Sequence, residues 1–224
     1  MTTSNTHYDD KYFDWQAPIG EFGGWANLTK FQPFVRNEFN VVDFGCGGGY
    51  LLKNIRCREK IGIEVNGVAR EQARQNGIRT VGATDEIEHQ WADLIISNHA
   101  LEHVPDPLSE LKKLKCLLKP GGKIVFYVPC ESIHMAYKQN DVSQHLFTWS
   151  PMCLGNLFST AGYVIEESTP YFHQWPPKSY RRIARWGGRR IFDLCCRLYA
   201  HWDRRLFQVR VVANCPDPVM SKVA

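Results

Sequence analysis

The stretch that decides the fold reads Val41-Val42-Asp43-Phe44-Gly45-Cys46-Gly47-Gly48-Gly49-Tyr50-Leu51-Leu52. Its first residues are largely β-branched or aromatic, which suits a strand that is covered on both faces. The glycines that follow have no Cβ atoms, so the backbone can turn tightly and a ligand can lie against it. A helix is predicted to begin after the turn, and its first amides would point at that ligand. The sequence therefore predicts a strand, a glycine loop and a helix that together bind a small molecule.

A second strand is predicted at residues 60–65, and its acid, Glu64, lies 19 residues after Gly45. This spacing places a carboxylate at the tip of the neighbouring strand, with Val65 beside it, within reach of a ribose diol. Dinucleotide dehydrogenases carry a similar loop and acid. The pattern alone therefore leaves an NAD-linked oxidoreductase as an alternative.

Asp43 distinguishes the two kinds of ligand, because it lies two residues before the first glycine of the turn. A carboxylate there would repel a pyrophosphate, but it suits a ligand that carries an amino group and a sulfonium. The structural alternative is that Asp43 ties down the glycine loop by hydrogen bonds, and both roles can hold. The pattern Asp-x-Gly-x-Gly-x-Gly over residues 43–49 resembles motif I of the class I S-adenosylmethionine (SAM) methyltransferases.

A second block strengthens this resemblance. Residues 101–107 read Leu-Glu-His-Val-Pro-Asp-Pro, and residues 118–122 read Leu-Lys-Pro-Gly-Gly before another strand. Both resemble the second half of the same methyltransferase domain, so that the similarity covers residues 41–129. It implies SAM as cofactor, with S-adenosylhomocysteine as product. The residues that the resemblance and the strand ends assign to cofactor binding are Asp43, Gly45, Cys46, Gly47, Gly49, Glu64, Val65, Asp85, Asn98 and His99.

Strands that alternate with helices predict an α/β fold with a doubly wound, mostly parallel sheet. The resemblance implies the seven-stranded, Rossmann-like methyltransferase fold, in which the last strand is antiparallel. We expect one domain over residues 1–224. Its predicted parts are an aromatic N-terminal helical flap (7–38), a SAM-binding core (41–129), a substrate-side loop, helix and strand six (130–171), a basic insert (172–206) and the last strand (207–215).

Local signals predict where the helices begin and end. The first helix is expected to run to about Cys57, while Asn66, Asp106 and Ser150 are expected to cap later helices. Asp85 follows the third strand, where many relatives use an acid to bind the adenine amino group. Its alternative role is to cap a short helix.

Three histidines near the predicted ligand crevice are candidates for the acceptor side: His99, His103 and His145. Transfer of an already activated methyl group needs mainly alignment, and a base only when the acceptor is protonated. Each histidine taken singly also suits a structural role. We assign catalysis first to His145, from the loop after strand five where acceptor contacts cluster in the family, and second to His103.

Positive charge is concentrated in residues 178–210, which hold ten Lys or Arg and only Asp193 and Asp203 as acids, whereas the whole chain is +4. Aromatic and aliphatic residues interleave with these arginines, as in helices that lie at a membrane interface. Three interpretations stay open: a solvated face, contact with an anionic acceptor or membrane surface, and nucleic acid. The last is the least favoured, because no known RNA-binding module is present.

The predicted function is O-methylation of a small-molecule, sugar or lipid-linked acceptor, ahead of N- or C-methylation. A SAM-binding regulatory protein without turnover is the alternative from another class. The eight cysteines lack metal-binding spacing, so we expect them reduced, with no structural metal. Without an 18-residue apolar run or a signal-peptide core, the expected location is cytoplasmic, including a peripheral position on a membrane.

Overall fold

The computed structural model of the chain describes residues 19–139, 141, 143–203 and 206–216. Residues 7–18 of the predicted flap therefore lie outside the described residues. The strands are β1 (Asn40–Phe44), β2 (Glu59–Ile63), β3 (Arg79–Val81), β4 (Ala92–Asn98), β5 (Leu118–Glu131), β6 (Val164–Tyr171) and β7 (Leu206–Asn214). They form one sheet in the order β3-β2-β1-β4-β5-β7-β6.

The sheet is parallel from β3 to β5, and β7 pairs antiparallel with both β5 and β6. The chain order reverses between β1 and β4, which is the switch point where ligands bind in doubly wound folds. The predicted fold class, including the antiparallel last strand and the insert before it, is confirmed.

Helices cover the sheet and connect its strands. They are α1 (residues 19–26), α2 (Leu28–Phe31), α3 (Tyr50–Asn54), α4 (Gly67–Gln75), α5 (Pro107–Leu117), α6 (Pro151–Thr160) and α7 (Tyr180–Trp202), with 3₁₀ turns at Gln32–Phe34, Thr84–Glu86 and Leu101–His103. No helix within these described ranges is long and apolar enough to cross a membrane.

Three predicted helix caps are confirmed. The side chain of Asn66 accepts hydrogen bonds from the first amides of α4, Asp106 accepts one at α5, and Ser150 accepts one at α6. Each cap satisfies amides that have no partner within the helix.

The first helix is shorter than predicted, because α3 ends at Asn54 and not near Cys57. Ile55 is extended and 3 % exposed, so the chain leaves the helix to bury this side chain. Lys60 then donates hydrogen bonds to the carbonyls of Leu52 and Ile55, which satisfies the end of the helix. The end of this helix could not be predicted from the pattern of residue types, because it depends on the contact with Lys60.

Alternate side chains of the central strands enter two cores on opposite faces of the sheet. Val42 and Ile95 belong to one core, whereas Val41, Leu94 and Ile96 belong to the other. Continuous apolar runs are therefore required at β1 and β4, since both faces of a parallel sheet are covered.

The insert forms the long helix α7, which bends at Gly188, where φ is 64°. Phe192 and Cys196 of α7 pack with Ala26 of α1 in a third core that is separate from the two sheet cores. Phe22 and Trp175 border this cluster, and their rings meet edge to face at 5.1 Å. The N-terminal segment and the insert thus pack on each other beside the sheet.

Gly45 is the tightest backbone position of the glycine loop, and we expect Gly45→Ala to destabilise the fold strongly. Its φ is 73°, and a Cβ atom there would lie 2.3 Å from the Cβ of Ala100. Gly77→Ala is the matched control, because its φ is 78° but no described atom lies within 4 Å of the added Cβ. The positive φ alone costs about 1–2 kcal/mol.

Urea unfolding of both variants measures the difference. Gly77→Ala should lose about 1–2 kcal/mol of unfolding free energy, and Gly45→Ala should lose clearly more. Equal losses would show that the contact with Ala100 imposes no constraint.

Candidate active site

The glycine loop is held by backbone and carboxylate hydrogen bonds at the end of β1. The amides of Gly45 and Cys46 donate to the carbonyl of Ile63, at 2.9 and 3.1 Å. The carboxylate of Glu64 accepts from the amide of Gly47 at 2.9 Å and from the amide of Asn66 at 2.8 Å. Glu64 therefore couples the loop to the end of β2 and to the cap of α4.

Asp43 is buried in β1, directly before the loop. Burial, and secondly the nearby carboxylate of Glu64, raise the pKa of Asp43 well above its ordinary value. Burial also raises the pKa of Glu64, against the hydrogen bonds that its carboxylate accepts. Two carboxyl groups under one loop favour a ligand with positive charge.

Two cavities meet at the glycine loop. The larger has a volume of about 560 Å³, and its walls include Asp43, Lys30, Glu131, His145, His173 and Trp175. The smaller has a volume of about 310 Å³, and its walls include Glu64, Val65, Asn66, Ala83 and His103. Gly45, Gly47 and His99 line both cavities. A ligand that occupies both must pass over the glycine loop.

Glu102 is a fully buried carboxylate among three imidazoles. Its Oε1 lies 3.4 Å from Nδ1 of His99, 4.0 Å from Nε2 of His103 and 3.9 Å from Nε2 of His145. Neither oxygen of the carboxylate accepts a hydrogen bond from the described residues. Burial raises the pKa of Glu102, but its interactions with His99 and His103 outweigh this and lower it.

Backbone hydrogen bonds to Glu102 bring His145 to the site. The carbonyl oxygen of Glu102 accepts hydrogen bonds from the amides of Leu146 and Phe147, at 2.9 and 3.3 Å. Nδ1 of His145 forms a hydrogen bond of 2.8 Å with Oε1 of Glu131, and this bond orients the ring. Nε2 then lies on the side of Glu102, 3.9 Å from its Oε1. His103 and His145 are neighbours, with ring centroids 5.0 Å apart. Burial, more than any neighbouring charge, lowers the pKa of His103.

Three of these residues have the geometry to hold a metal ion. Glu102, His103 and His145 each offer a ligand atom, and the three atoms lie within 4.8 Å of one another. Two imidazole nitrogens and one carboxylate oxygen are ligands that divalent transition metals accept. Glu131 would then be the outer carboxylate that fixes the His145 ring. The cysteine spacing could not indicate this group, because it contains no cysteine.

Lys30 of α2 is a site residue that the sequence did not indicate. Its side chain is 3 % exposed and lines the larger cavity. Nζ donates to Oδ1 of Asn98 at 2.8 Å and to Oε1 of Gln208 at 2.6 Å, and it lies 5.0 Å from the ring centre of Tyr127. Burial lowers the pKa of Lys30 to about 7, against the weaker opposing effects of Cys196 and Glu102.

The predicted cofactor residues are divided between the two cavities, with two exceptions. The larger is lined by Asp43, Gly45, Cys46, Gly47, Asn98 and His99, and the smaller by Gly45, Gly47, Glu64, Val65 and His99. Gly49 lines neither cavity. It caps the start of α3, with a left-handed backbone conformation of φ 72°.

Asp85 is the second exception. Its carboxylate points to Lys113, at 3.4 Å, and lines neither cavity. The alternative role of Asp85, to cap a short helix, is wrong, because the 3₁₀ turn Thr84–Glu86 is capped by Ala83 and contains Asp85. Glu86 instead accepts hydrogen bonds from the amides of Gly82 and Ala83. The assignment of Asp85 to the adenine amino group stays a prediction.

Comparison with known families identifies the domain. Residues 15–168 match the family profile described as "Methyltransferase domain". The chain belongs to this methyltransferase family. The resemblance inferred from motif I and from the block at residues 101–122 is confirmed, and the family supports a SAM-binding enzyme over an NAD-linked one.

Two curated relatives share the sequence of this chain over part of their length. One is the ubiquinone biosynthesis O-methyltransferase of Actinobacillus pleuropneumoniae, 37 % identical over 138 residues, which are 50 % of this chain and 58 % of that protein. The other has the same name in Idiomarina loihiensis, 29 % identical over 189 residues, which are 67 % of this chain and 75 % of that protein. The chain thus spans little more than half of the first relative.

A solved structure supports the fold. The chain is similar to a SAM-dependent methyltransferase from Archaeoglobus fulgidus, with a TM-score of 0.66 and 17 % identity over 92 % of this chain and 100 % of that one. At this identity the likeness extends to the fold.

We expect Lys30→Met to change how stability depends on pH. The folded pKa of Lys30 is about 7 and the model-compound value is 10.5. Between these values the unfolded chain binds more protons, so the wild type gains stability as the pH rises. The variant cannot, so the difference in unfolding free energy, variant minus wild type, should fall by up to about 1.4 kcal/mol per pH unit from pH 7 to 10.

Urea unfolding of both proteins at several pH values measures this slope. The hydrogen bonds that the substitution removes contribute a constant offset and no slope. A difference that does not change with pH would contradict a buried amine of lowered pKa.

Proposed function

We propose that the protein is a SAM-dependent methyltransferase that transfers the methyl group to an oxygen of a small-molecule, sugar or lipid-linked acceptor. The observation that carries the proposal is the pair of cavities that meet at the glycine loop. SAM supplies an activated methyl group between a nucleoside and an amino acid, and two joined cavities suit such a molecule.

The cofactor is assigned by chemistry. The nucleoside is assigned to the smaller cavity, where Glu64 can accept from a ribose hydroxyl while it also holds the loop. The amino acid end is assigned to the larger cavity, beside Asp43. Its ammonium group would stabilise the ionised form of Asp43, whose pKa burial raises. The repulsion between the two acids then favours the cationic cofactor.

The acceptor is assigned to the rest of the larger cavity, beyond the glycine loop. His145 is the proposed base, because Glu131 orients its Nδ1 and leaves Nε2 to take a proton. His103 lies beside His145, with ring centroids 5.0 Å apart, but it lines the smaller cavity. The names of the two curated relatives support an oxygen acceptor.

Lys30 adds an amine on the acceptor side, and a negative charge beside it would favour its cationic form. Its amine is held by two amide oxygens and no described carboxylate forms an ion pair with it. An acceptor with an acidic hydroxyl or a carboxylate would supply the missing negative charge. This supports a phenol-type or acid-bearing acceptor ahead of a neutral one.

Binding and turnover should separate the two groups of residues. Asp43→Ala and Glu64→Ala should abolish SAM binding in isothermal titration, because each removes a carboxylate beside the glycine loop. His145→Ala should keep its SAM affinity and lose most transfer, by about 10²-fold or more for loss of a base. Transfer is measured as S-adenosylhomocysteine released from labelled SAM with aqueous and lipid extracts.

Circular dichroism of each variant serves as the control for folding. Unchanged SAM affinity in both acid variants would defeat the cofactor assignment. SAM binding without any release of product from the wild type would favour a regulatory protein.

The imidazole cluster favours a second role for His145, as a ligand of a divalent cation with Glu102 and His103. In that role a metal ion would polarise the acceptor oxygen, and His145 would not act as the base. Titration of chelator-treated protein with ZnCl₂ or MgCl₂ distinguishes the two roles. A metal site predicts saturable binding that Glu102→Gln weakens at least tenfold, in line with the loss of one ligand.

His201→Gln is the matched control, since His201 is an exposed histidine on α7 and lies outside the group. Binding that is weak and equal in all three proteins would leave His145 as the base.

A further inference from the structure

The outer side of α7 carries an exposed apolar face. Spacing of three and four residues places its members on one side of the helix, opposite the residues that pack on α1. The exposed members are Ile191 (53 %), Leu194 (57 %), Leu198 (64 %) and Trp202 (89 %). Phe192, Cys196 and Ala200, on the opposite side, are buried. The sequence within α7 is therefore apolar on two sides, and only one of them has a partner among the described residues.

Exposed positive charge lies on both segments of α7, before and after the bend. The exposed arginines of α7 are Arg181, Arg182, Arg185, Arg190 and Arg197. The acid of α7, Asp193, is turned inward, where its carboxylate lies 3.3 Å from Nε2 of His173. The solvent side of the helix is thus cationic as well as apolar.

Tryptophans mark both ends of the C-terminal half of α7. Trp186 precedes the bend at Gly188 and is 83 % exposed, and Trp202 is the last residue of the helix. The guanidinium of Arg185 lies 5.8 Å from the ring centre of Trp186. Tryptophan rings of this kind are enriched at the boundary between water and lipid.

We propose that the outer face of α7 binds an anionic phospholipid surface, with the helix lying in the plane of the interface. The aliphatic side chains enter the acyl boundary, and the arginines contact the lipid phosphates. Burial of apolar area and attraction to anionic headgroups then act together. The fold supports this orientation, since the opposite side of the helix is fixed to α1.

Charge argues against a second copy of the chain as the partner. A two-fold contact through this face would bring the same patch of each copy together. Arg190 and Arg197, which share the C-terminal segment of α7 with this face, would then be brought towards the same arginines of the other copy. Nucleic acid would satisfy the arginines, but it offers nothing for Ile191, Leu194 and Leu198 to enter.

The buried side of α7 continues into the wall of the larger cavity. The amide of Gln174 donates to the carbonyl of Cys196 at 3.2 Å, and the ring of His173 contacts that of Phe192. His173 and Gln174 both line the cavity. A membrane-bound α7 would hold this cavity close to lipid. This position suits a lipid-linked acceptor if the proposed function holds. The membrane contact itself does not depend on methyl transfer.

Vesicle sedimentation with the full chain tests the contact. Vesicles of phosphatidylcholine with 30 % phosphatidylglycerol should bind the wild type at low salt, and pure phosphatidylcholine should bind it at least tenfold less. Leu194→Glu with Leu198→Glu should lower anionic binding at least tenfold. Arg182→Glu with Arg190→Glu should lower it by at least about fivefold per arginine, because each change removes a positive charge and adds a negative one. Met152→Glu, an equally exposed apolar residue on α6, should bind as the wild type does.

Circular dichroism spectra that are equal in all variants show that the fold is retained, independently of the proposed function. No enrichment with anionic vesicles, or equal loss in Met152→Glu, would overturn the proposal. A wild-type dimer that the leucine pair converts to monomer would overturn it in favour of a second copy. RNA binding that the same pair abolishes, without vesicle binding, would overturn it in favour of nucleic acid.

Discussion

The site depends on one close approach of two backbone segments. Gly45 begins the glycine loop directly after β1, and Ala100 follows β4. The two residues lie so close together that no side chain fits at position 45. The approach places the glycine loop against the segment that carries His99, Glu102 and His103. His99 itself adopts a left-handed conformation, with φ 58°, and its amide donates to the carbonyl of Tyr127. Cofactor-side and acceptor-side groups therefore meet at the switch point of the sheet.

The two sides of the site are built from different parts of the protein. The cofactor side is mostly backbone, held by the carboxylate of Glu64, and its geometry follows from the glycines and the strand ends. The acceptor side consists of side chains from distant segments, including Lys30, Glu131 and His145. The backbone of the cofactor side keeps its geometry when the sequence around it changes. The side chains of the acceptor side can be replaced without altering the fold. This division explains how one fold serves many acceptors.

Much of the cofactor side could be predicted from the sequence, because it follows from local chemistry. The glycine loop, the acid after β2 and the caps Asn66, Asp106 and Ser150 are signals within a few residues of the structure they specify. The antiparallel last strand followed from a family resemblance that local pattern alone could not supply.

The acceptor side could not be predicted in the same way. Lys30 contacts Asn98 and Gln208, which are 68 and 178 residues away in the chain. Glu102 belongs to the motif at residues 101–107, but His145 reaches it through backbone hydrogen bonds that Leu146 and Phe147 donate to the Glu102 carbonyl. The pattern of α7 showed its arginines and apolar residues, but not which apolar side packs on α1. Each case is a contact between segments far apart in sequence.

The most direct measurement of the central claim is a crystal structure with S-adenosylhomocysteine bound. The account predicts that the ligand lies over the glycine loop, with its ribose at Glu64 in the smaller cavity and its amino group at Asp43 in the larger. Density for the nucleoside away from residues 45–49, or a nicotinamide dinucleotide bound across them, would contradict it.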